Sequence, residues 1–364
     1  MTINQACHNL ALVSVMDILI FAGLAEHKLI SKILPLVNRG DVKRIVLLRI
    51  NPLAHEKVTC VTPPGVLRWC QFLSYVYLFF AALMVNFRCR FSYAIGIHFW
   101  PHALLALLVG KIFNRKFVMV LAEEPGYWRN NRLFNYAVRS AYRVGVRGKA
   151  SREYLLQQGA ESGKIFIPPN VFAFSRQAGK ESERQYDIIF IGSFTKVKRL
   201  DIFLDVIEDL RKRMSDVRVL IVGEGPVESE IKKFINEKSL QRQVTVAGYQ
   251  RDIYSCLNGS KVFLLTSESE GLPMAVVEAM SAGLPCVVPA VGDITDVARH
   301  EDNALVVEPL NVRAFSEACY RLLSDRQFYA KLSENARKIA QEKKDEYSLT
   351  GAMGVWEDVL GKER

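Results

Sequence analysis

The sequence lacks the cysteine patterns that indicate a disulfide framework or a zinc site. Its seven cysteines are odd in number, scattered along the chain and never spaced as C-x-x-C. It also has no D-x-D motif and no cluster of His, Cys and carboxylate residues at metal-ligand spacing. We therefore expect a protein of the reducing cytoplasm that binds no metal ion.

The chain also lacks nucleic-acid-binding motifs, low-complexity segments and short internal repeats. Its 364 residues are 50% hydrophobic and 24% charged, which is typical of a globular protein with two domains. The net charge of +10 is uneven: residues 1–172 carry 21 Lys and Arg against 8 Asp and Glu, and the remainder carries 27 against 30. The first half is therefore predicted to face an anionic partner, with a phospholipid surface or a phosphorylated lipid acceptor favoured over nucleic acid.

One apolar run, residues 69–87, is about long enough to span a bilayer, although three polar residues interrupt it. A buried or interface-lying helix of the first domain is the favoured interpretation; a spanning helix and an amphipathic helix on the membrane surface stay open. The apolar run that begins at Leu10 has no cationic region before it and no cleavage pattern after it. We therefore expect no secretory signal and a cytoplasmic protein, with peripheral contact at the inner face of the membrane as a hypothesis.

Short apolar runs alternate with segments of helical length along the whole chain. The predicted strands are residues 10–21, 45–50, 93–97, 117–121, 187–191, 218–222, 244–247, 262–266 and 286–289. The predicted helices are residues 26–37, 65–87, 102–113, 129–142, 200–214, 228–237, 274–282 and 312–323. This alternation is typical of α/β proteins whose parallel sheets are covered by helices on both faces. The sequence therefore predicts two doubly wound, Rossmann-like domains.

A pair of prolines, Pro168 and Pro169, and the polar segment after them mark the predicted domain boundary. We predict a first domain over residues 1–172 and a second over residues 173–342. Residues 343–364 contain apolar side chains at helical spacing, which predicts an amphipathic helix that must pack on a neighbour. Ligands of open α/β sheets bind at the carboxyl ends of the strands, so a cleft between the domains is the expected site.

The strongest motif, SESEGLPMAVVE, follows the predicted strand at residues 262–266. It combines a turn at Gly271 with Pro273 at a helix start, where free amides suit a diphosphate. Glu278, on the helix, can accept hydrogen bonds from ribose hydroxyls. Glu270, on the loop, can hold sugar hydroxyls or face positive charge that develops at an anomeric carbon. The alternative is a helix start that carries acids because they suit its dipole.

Two other predicted strands end in glycine turns. Residues 192–199, GSFTKVKR, place Gly192 before three cations, an arrangement that suits a pyrophosphate leaving group. Three cations at a helix start oppose the helix dipole, so the fold alone gives little reason for them. A solvated run of charge stays open as the alternative. The sequence GEGP after residues 218–222 lets the backbone at Gly223 come close to a ligand.

These residues resemble the retaining nucleotide-sugar glycosyltransferases of family 4, which have the GT-B fold of two Rossmann-like domains facing across a cleft. The resemblance covers nearly the whole chain, is strongest over residues 187–309, and includes an E-x7-E motif matched by Glu270 and Glu278. It implies that Glu278 binds the donor ribose, that Glu270 contacts the transferred sugar, and that the backbone of residues 271–274 holds sugar hydroxyls and phosphate.

The resemblance also assigns the basic residues of the second domain. Lys198 matches the Lys of the basic pair that the family usually has and, with Glu270, is predicted to be catalytic. Ser193 stands where the family usually has an Arg, and Lys196 or Arg199 would then take its place. The full set of predicted donor-binding residues is Glu278, Gly271, Leu272, Pro273, Met274, Gly192, Ser193, Arg199, Gly23, Gly223 and Tyr249.

In the first domain the resemblance places Gly23, part of a reduced glycine-rich loop, near the donor phosphates. In the second domain it places Tyr249 near the nucleobase. The family often has a His after the strand matched by residues 117–121, where this sequence has Glu123 and Glu124. These two acids and His98 are predicted to line the acceptor or sugar side, with a helix cap, a solvated loop or a core histidine as the alternatives.

The predicted function is that of a metal-independent hexosyltransferase, with no cofactor beyond a nucleotide-sugar co-substrate. It would move a sugar from a nucleotide diphosphate sugar, a UDP-sugar favoured, to a hydroxyl of a growing glycan or lipid-linked saccharide in cell-surface polysaccharide biosynthesis. The resemblance implies retention, an acceptor-side first domain, a donor-binding second domain and a C-terminal helix that braces the first. The alternatives are an epimerase of the same fold, against which the basic first domain argues, and a non-catalytic nucleotide-sugar-binding subunit.

Overall fold

The computed structural model describes residues 16–24, 26–171, 184–271 and 273–361, and of His27 the backbone alone. Residues 10–15 of the first predicted strand and the predicted donor-binding residue Leu272 lie outside these ranges. The chain divides into two compact units. Unit 1 consists of Met1–Phe172 with Glu346–Arg364, and unit 2 consists of Ala173–Asp345.

Within the described residues, unit 1 is built on a seven-stranded sheet in which every neighbouring pair is parallel. Its strands are β1 (Met16–Ala22), β2 (Val42–Leu48), β3 (Val58–Val61), β4 (Tyr93–Ile97), β5 (Lys116–Val120), β6 (Arg143–Gly145) and β7 (Ile165–Phe166). Their spatial order is β3-β2-β1-β4-β5-β6-β7. The order reverses between β1 and β4, which opens a crevice at the carboxyl edge of the sheet.

Helices cover both faces of this sheet, so its central strands are almost wholly apolar. The helices before the domain boundary are α1 (Glu26–Val37), α2 (Gly65–Arg68), α3 (Gln71–Arg88), α4 (Leu104–Ile112), α5 (Arg132–Ser140) and α6 (Lys149–Gln157). Residues of α3, α4 and α5 pack in the hydrophobic core on one face, and residues of α1 pack on the other. The single helix predicted over residues 65–87 is divided into α2 and α3, because Cys70 is extended, with φ −113° and ψ 102°.

Unit 2 repeats the design with a six-stranded parallel sheet in its described residues. Its strands are β8 (Tyr186–Ile191), β9 (Val219–Val222), β10 (Val244–Gly248), β11 (Ser260–Leu264), β12 (Cys286–Pro289) and β13 (Ala304–Val307), in the order β10-β9-β8-β11-β12-β13. Its helices are α7 (Leu200–Leu210), α8 (Glu228–Glu237), α9 (Ile253–Asn258), α10 (Met274–Ser281), α11 (Val312–Ser324) and α12 (Arg326–Lys343). Here the order reverses between β8 and β11.

The last helix, α13 (Leu349–Leu360), belongs to unit 1 and packs against α1. The hydroxyl of Ser348 caps its start by accepting a hydrogen bond from the Gly351 amide at 3.0 Å. The Trp356 ring meets the Phe166 ring edge-on, with centroids 5.4 Å apart. The C-terminal helix therefore contributes to the core on the α1 face of the unit 1 sheet.

These two sheets confirm the predicted α/β class and the two Rossmann-like, doubly wound domains. The sequence patterns missed β3, β6, β7 and β13, which are two to four residues long. They also missed α12, a largely polar helix that buries Leu332, Ala336 and Ile339 on one face.

Candidate active site

The site predicted in unit 2 lies at the reversal of strand order. β8 and β11 are adjacent, and the loops that follow them leave the same carboxyl edge of the sheet. Open α/β sheets bind their ligands in the crevice between two such loops. The motif after β8 and the glutamate motif after β11 are therefore brought together by the topology of unit 2 alone.

A buried ion pair joins the two loops. Lys198 Nζ lies 2.5 Å from Glu270 Oε1, and the side chains are only 19% and 9% exposed. Charges that are shielded from water interact more strongly than they do at the surface, and removing either one leaves the other uncompensated. The two residues predicted to be catalytic are thus direct partners, although they are separated by 72 positions in the sequence.

Main-chain contacts hold this pair in place. The Thr266 hydroxyl donates to the carbonyl oxygen of Arg199 at 3.0 Å, and the Glu268 amide donates to the carbonyl oxygen of Val197 at 2.9 Å. Arg199 itself is in the left-handed conformation, with φ 49° and ψ 50°, which is strained for a residue with a side chain. The backbone on both sides of Lys198 is therefore tied to the loop that carries Glu270.

The two residues predicted to replace the usual arginine at Ser193 have different surroundings. The Arg199 guanidinium forms hydrogen bonds of 2.8 to 3.2 Å with Asp201, and its Nη1 lies 3.7 Å from the Glu268 carboxylate. Lys196 is exposed and has no partner within the described ranges. Arg199 is thus already neutralised by carboxylates, and Lys196 is the cation with its charge open to solvent.

Glycines bring the neighbouring turns into backbone contact. The Gly192 amide donates to the Val222 carbonyl at 3.0 Å, and the Gly223 amide donates to the Gly248 carbonyl at 2.9 Å. Gly223 has φ 143°, and a Cβ at this position would lie 1.9 Å from the Gly192 carbonyl oxygen. Only glycine fits here, because a side chain would clash with the Gly192 carbonyl. This close approach holds the turn at Gly192 against the turn at Gly223.

Gly223→Ala is expected to destabilise unit 2 by about 3 kcal/mol or more, because it combines backbone strain with a clash against the main chain. Urea denaturation followed by circular dichroism measures the loss. Gly248→Ala is the matched control: φ is 68° there, but no atom lies within 4 Å of the added Cβ, so about 1 kcal/mol is expected. Equal losses in the two variants would contradict the role assigned to the close approach.

Glu278 lies on the second turn of α10 and is a half-buried residue. No described residue hydrogen-bonds to this carboxylate or forms an ion pair with it. Burial raises the pKa of Glu278 from 4.5 to about 7. A half-buried carboxylate without donors of its own is a ready acceptor for hydroxyl groups of a ligand.

This burial predicts a specific pH dependence of stability. The pKa of Glu278 is raised in the folded state, so folding favours the protonated form, and its ionisation destabilises the protein as pH rises from about 4.5 to about 7. Glu278→Gln is expected to match the wild type near pH 4.5 and to exceed it by on the order of 3 kcal/mol above pH 7. Urea denaturation across this pH range measures the difference; a constant difference would refute the assignment.

The other predicted donor contacts in unit 2 lie at the same edge of the sheet. Gly271 is buried, and Pro273 is the N-cap of α10 without a side-chain hydrogen bond. Met274 is the first residue of the helix. Tyr249 follows β10, two strands away from β8, and its side chain is exposed. The roles proposed for these residues stay predictions.

In unit 1, Glu123 holds a loop together. Its Oε1 accepts hydrogen bonds from the Phe99 amide at 2.9 Å and from Trp128 Nε1 at 3.1 Å, and its Oε2 accepts one from the Ala122 amide at 3.2 Å. His98 Nδ1 lies 3.5 Å from the same carboxylate. Glu124 begins the short turn that follows. The structure therefore shows Glu123 bracing the segment after β4, and the predicted sugar contacts of these acids and His98 stay predictions.

Gly23 lies at the end of β1, beside His102. A Cβ on Gly23 would come within 2.4 Å of the His102 ring, so the imidazole packs directly on the glycine backbone. Burial, together with the charges of His98 and Arg49, lowers the pKa of His102 to about 4. The ring is therefore neutral at physiological pH, and its buried Nδ1 has no partner among the described residues.

Sequence reasoning missed Arg49 as a candidate site residue. It follows β2, is 4% exposed, and donates from Nη2 to the Leu24 carbonyl at 3.0 Å. Its Nε and Nη1 are buried without partners in the described part of the chain. A buried guanidinium with open donors is costly unless an anion completes it. The signal that could have found it is a single Arg directly after the apolar run IVLL.

The described residues contain no group of three or more His, Cys, Asp and Glu side chains that could hold a metal ion. The cations at the unit 2 site are lysine and arginine side chains. An anionic ligand there would meet Lys198, Lys196 and the amides at the start of α10.

Unit 2 is similar in sequence to known glycosyltransferases. Residues 171–339 match the model of the family described as Glycosyl transferases group 1. The chain is 28% identical over 186 residues to the N-acetyl-alpha-D-glucosaminyl L-malate synthase of Bacillus anthracis, which covers 50% of this chain and 48% of that protein. It is also 28% identical over 200 residues to the poly(ribitol-phosphate) alpha-N-acetylglucosaminyltransferase of Staphylococcus aureus, over 52% and 39% of the two chains. The chain spans about half the length, or less, of these curated relatives.

Among solved structures, HepE of Anabaena in complex with UDP and glucose superimposes with a TM-score of 0.76 at 17% identity, over 95% of this chain and 99% of HepE. The two doubly wound units and this superposition show that the fold is GT-B. The group 1 family match falls on unit 2, which carries Lys198, Glu270 and Glu278.

Proposed function

We propose that the protein transfers a hexose-type sugar from a nucleotide diphosphate sugar to a hydroxyl of a growing glycan or lipid-linked saccharide. The observation that supports this most directly is the buried Lys198–Glu270 pair, placed with the partnerless carboxylate of Glu278 at the switch point of unit 2. This combination offers a cation for a leaving diphosphate, a carboxylate for the sugar and a carboxylate for the ribose.

In this proposal the Glu278 carboxylate accepts hydrogen bonds from the ribose hydroxyls, and the amides at the start of α10 bind diphosphate oxygens. Lys198 neutralises charge as the bond between the anomeric carbon and the diphosphate oxygen breaks. Glu270, held by Lys198 before the donor enters, faces the positive charge that develops at the anomeric carbon. The acceptor oxygen bonds to that carbon, and its proton leaves with the released diphosphate.

UDP is the proposed nucleotide, because the superimposed HepE structure contains UDP and glucose. A glycan acceptor is supported by the Staphylococcus aureus relative, which is named for poly(ribitol phosphate). We extend the proposal to retention of anomeric configuration, independence from metal ions and other cofactors, a cytoplasmic location and a role in cell-surface polysaccharide synthesis. In unit 1, Arg49 and His102 would then bind anionic or hydroxyl groups of the substrates.

The test is incubation of the purified protein with radiolabelled UDP- and GDP-sugars, with and without a lipid extract and with and without EDTA. Release of nucleotide that depends on the extract, persists in EDTA and incorporates label into the extract would support the proposal. Isomerisation of the donor without an acceptor would instead establish the epimerase. Binding of the nucleotide sugar without turnover under any condition would establish a non-catalytic subunit.

A further inference from the structure

Helix α3 carries apolar side chains on its outward face. They recur every three or four positions, which aligns them along one side of the helix. With Trp69, which precedes the helix, we call this set the α3 stripe: Trp69, Phe72, Leu73, Val76, Phe80, Met84 and Phe87. Exposure of these side chains ranges from 37% at Val76 to 88% at Trp69. On the opposite side of the helix, Leu78, Ala82 and Val85 pack in the core of unit 1. The helix is therefore apolar on both sides, and its outward side faces solvent.

The α3 stripe is too long to be a set of isolated surface residues. From Phe72 to Phe87 it extends about 22 Å at the helical rise per residue. The Phe87 ring meets the Phe113 ring edge-on at 5.6 Å, which joins the stripe to the end of α4. There Leu108 and Ile112 are also exposed. Continuous apolar surfaces of this size on soluble proteins mark interaction sites.

Acidic residues are scarce in the same part of the chain. Between residues 57 and 152 the sequence has 14 Lys and Arg but only two acids, Glu123 and Glu124. This segment contains α3, α4 and α5. An apolar helix face within a strongly cationic surface is the combination that binds anionic phospholipid.

A cationic cavity adjoins the end of the stripe. It has a volume of about 640 Å³ and lies where β5 begins. Six cations line it: Lys111, Arg115, Lys116, Arg139, Arg143 and Lys164. The one acid in its lining, Glu161, is paired with Lys164 at 2.9 Å. Lys111 directly precedes the exposed Ile112, so the cavity opens beside the apolar surface.

We propose that the α3 stripe and this cavity form one docking surface for an anionic phospholipid bilayer. The helix lies in the plane of the interface with its stripe among the acyl chains, and lipid phosphate groups occupy the cavity. Within the described residues α3 is the one helix that is long and apolar enough to cross a membrane, with a mean hydropathy of 1.2 over 18 residues. Its packing through Leu78 and Val85 along the unit 1 sheet favours lying on the bilayer over crossing it. This inference goes beyond the transfer reaction and does not depend on it.

Vesicle co-sedimentation tests the proposal with the full-length protein. Phosphatidylcholine vesicles that contain phosphatidylglycerol should bind it, and pure phosphatidylcholine vesicles should bind it at least about tenfold more weakly. The double variant Phe72→Ser/Phe80→Ser should lower binding to the anionic vesicles about tenfold or more, because both side chains are exposed and would be lost from the apolar contact. The variant Lys111→Gln/Arg139→Gln should lower it about tenfold as well.

The matched control is the variant Lys233→Gln/Arg242→Gln, which lacks two exposed cations of unit 2. It should bind the anionic vesicles as the wild type does. Circular dichroism confirms that each variant is folded. Equal binding to neutral and anionic vesicles, or none by the wild type, would overturn the proposal. So would a dimer in solution that Phe72→Ser/Phe80→Ser dissociates, or a membrane-bound protein that only detergent releases. Vesicle binding needs no turnover, so failure of the proposed transfer reaction leaves this result unchanged.

Discussion

Lys198→Met is expected to lower kcat for sugar transfer by about 100- to 1000-fold, the range found when one preorganised charge-stabilising group is removed from an active site. The ammonium group of Lys198 lies 2.5 Å from Glu270 in a largely buried setting, and both loops hold it there through main-chain hydrogen bonds. Steady-state kinetics with the donor identified by the radiolabel assay measure the effect. Thermal unfolding of the same preparation separates it from loss of the fold.

The matched control is Lys233→Met on α8, where the side chain is exposed and lies outside the loops of the site. It should keep kcat within a few-fold of the wild type. Glu270→Gln and the double variant Lys198→Met/Glu270→Gln complete a double-mutant cycle. If the pair acts as a unit, kcat of the double variant is little lower than kcat of either single variant. A loss in Lys233→Met as large as that in Lys198→Met would refute the assignment of Lys198.

The fold could be predicted because its central strands are continuous apolar runs. β4 and β12 were predicted with their observed bounds, as were helices α1 and α8. The edge strands β6 and β7 could not be, since strands this short are defined by their hydrogen bonds to a neighbour rather than by a pattern in the sequence. The division between α2 and α3 was equally hidden, because an extended Cys70 interrupts a run that is apolar on both sides.

The candidate site was predictable where each residue belongs to a local motif, as Glu270 and Glu278 do. Sequence spacing could not show that Lys198 and Glu270 are direct partners, because their contact depends on the adjacency of β8 and β11. Nor could it show that the Glu123 carboxylate accepts hydrogen bonds from the Phe99 amide, in the segment after β4, and from Ala122 and Trp128 of its own loop. Arg49 was missed for a related reason: its importance lies in being buried with open donors, which is a property of the fold.

Glu278→Ala is expected to weaken binding of the donor nucleotide by about 10- to 100-fold, the loss of one or two charge-assisted hydrogen bonds. The same carboxylate should make the wild-type affinity depend on pH. Hydroxyl donors stabilise the ionised form, so binding lowers the pKa of Glu278 from its value of about 7 in the free protein. Affinity for UDP should therefore fall, by up to about tenfold per pH unit, as the pH is lowered below 7, and binding near pH 6 should release a proton.

Isothermal titration calorimetry in buffers of different ionisation enthalpy measures both the affinity for UDP and the number of protons released on binding. Glu278→Gln should abolish the proton release, since the amide cannot ionise. Glu268→Ala, which removes an exposed carboxylate from the same motif, is the matched control and should retain both the affinity and the proton release. Because Glu278 has no partner in the described structure, its ionisation reports directly on a ligand that supplies the missing donors. Proton release that survives in Glu278→Gln would place the ribose contact on another residue and leave the raised pKa of Glu278 without a function in binding.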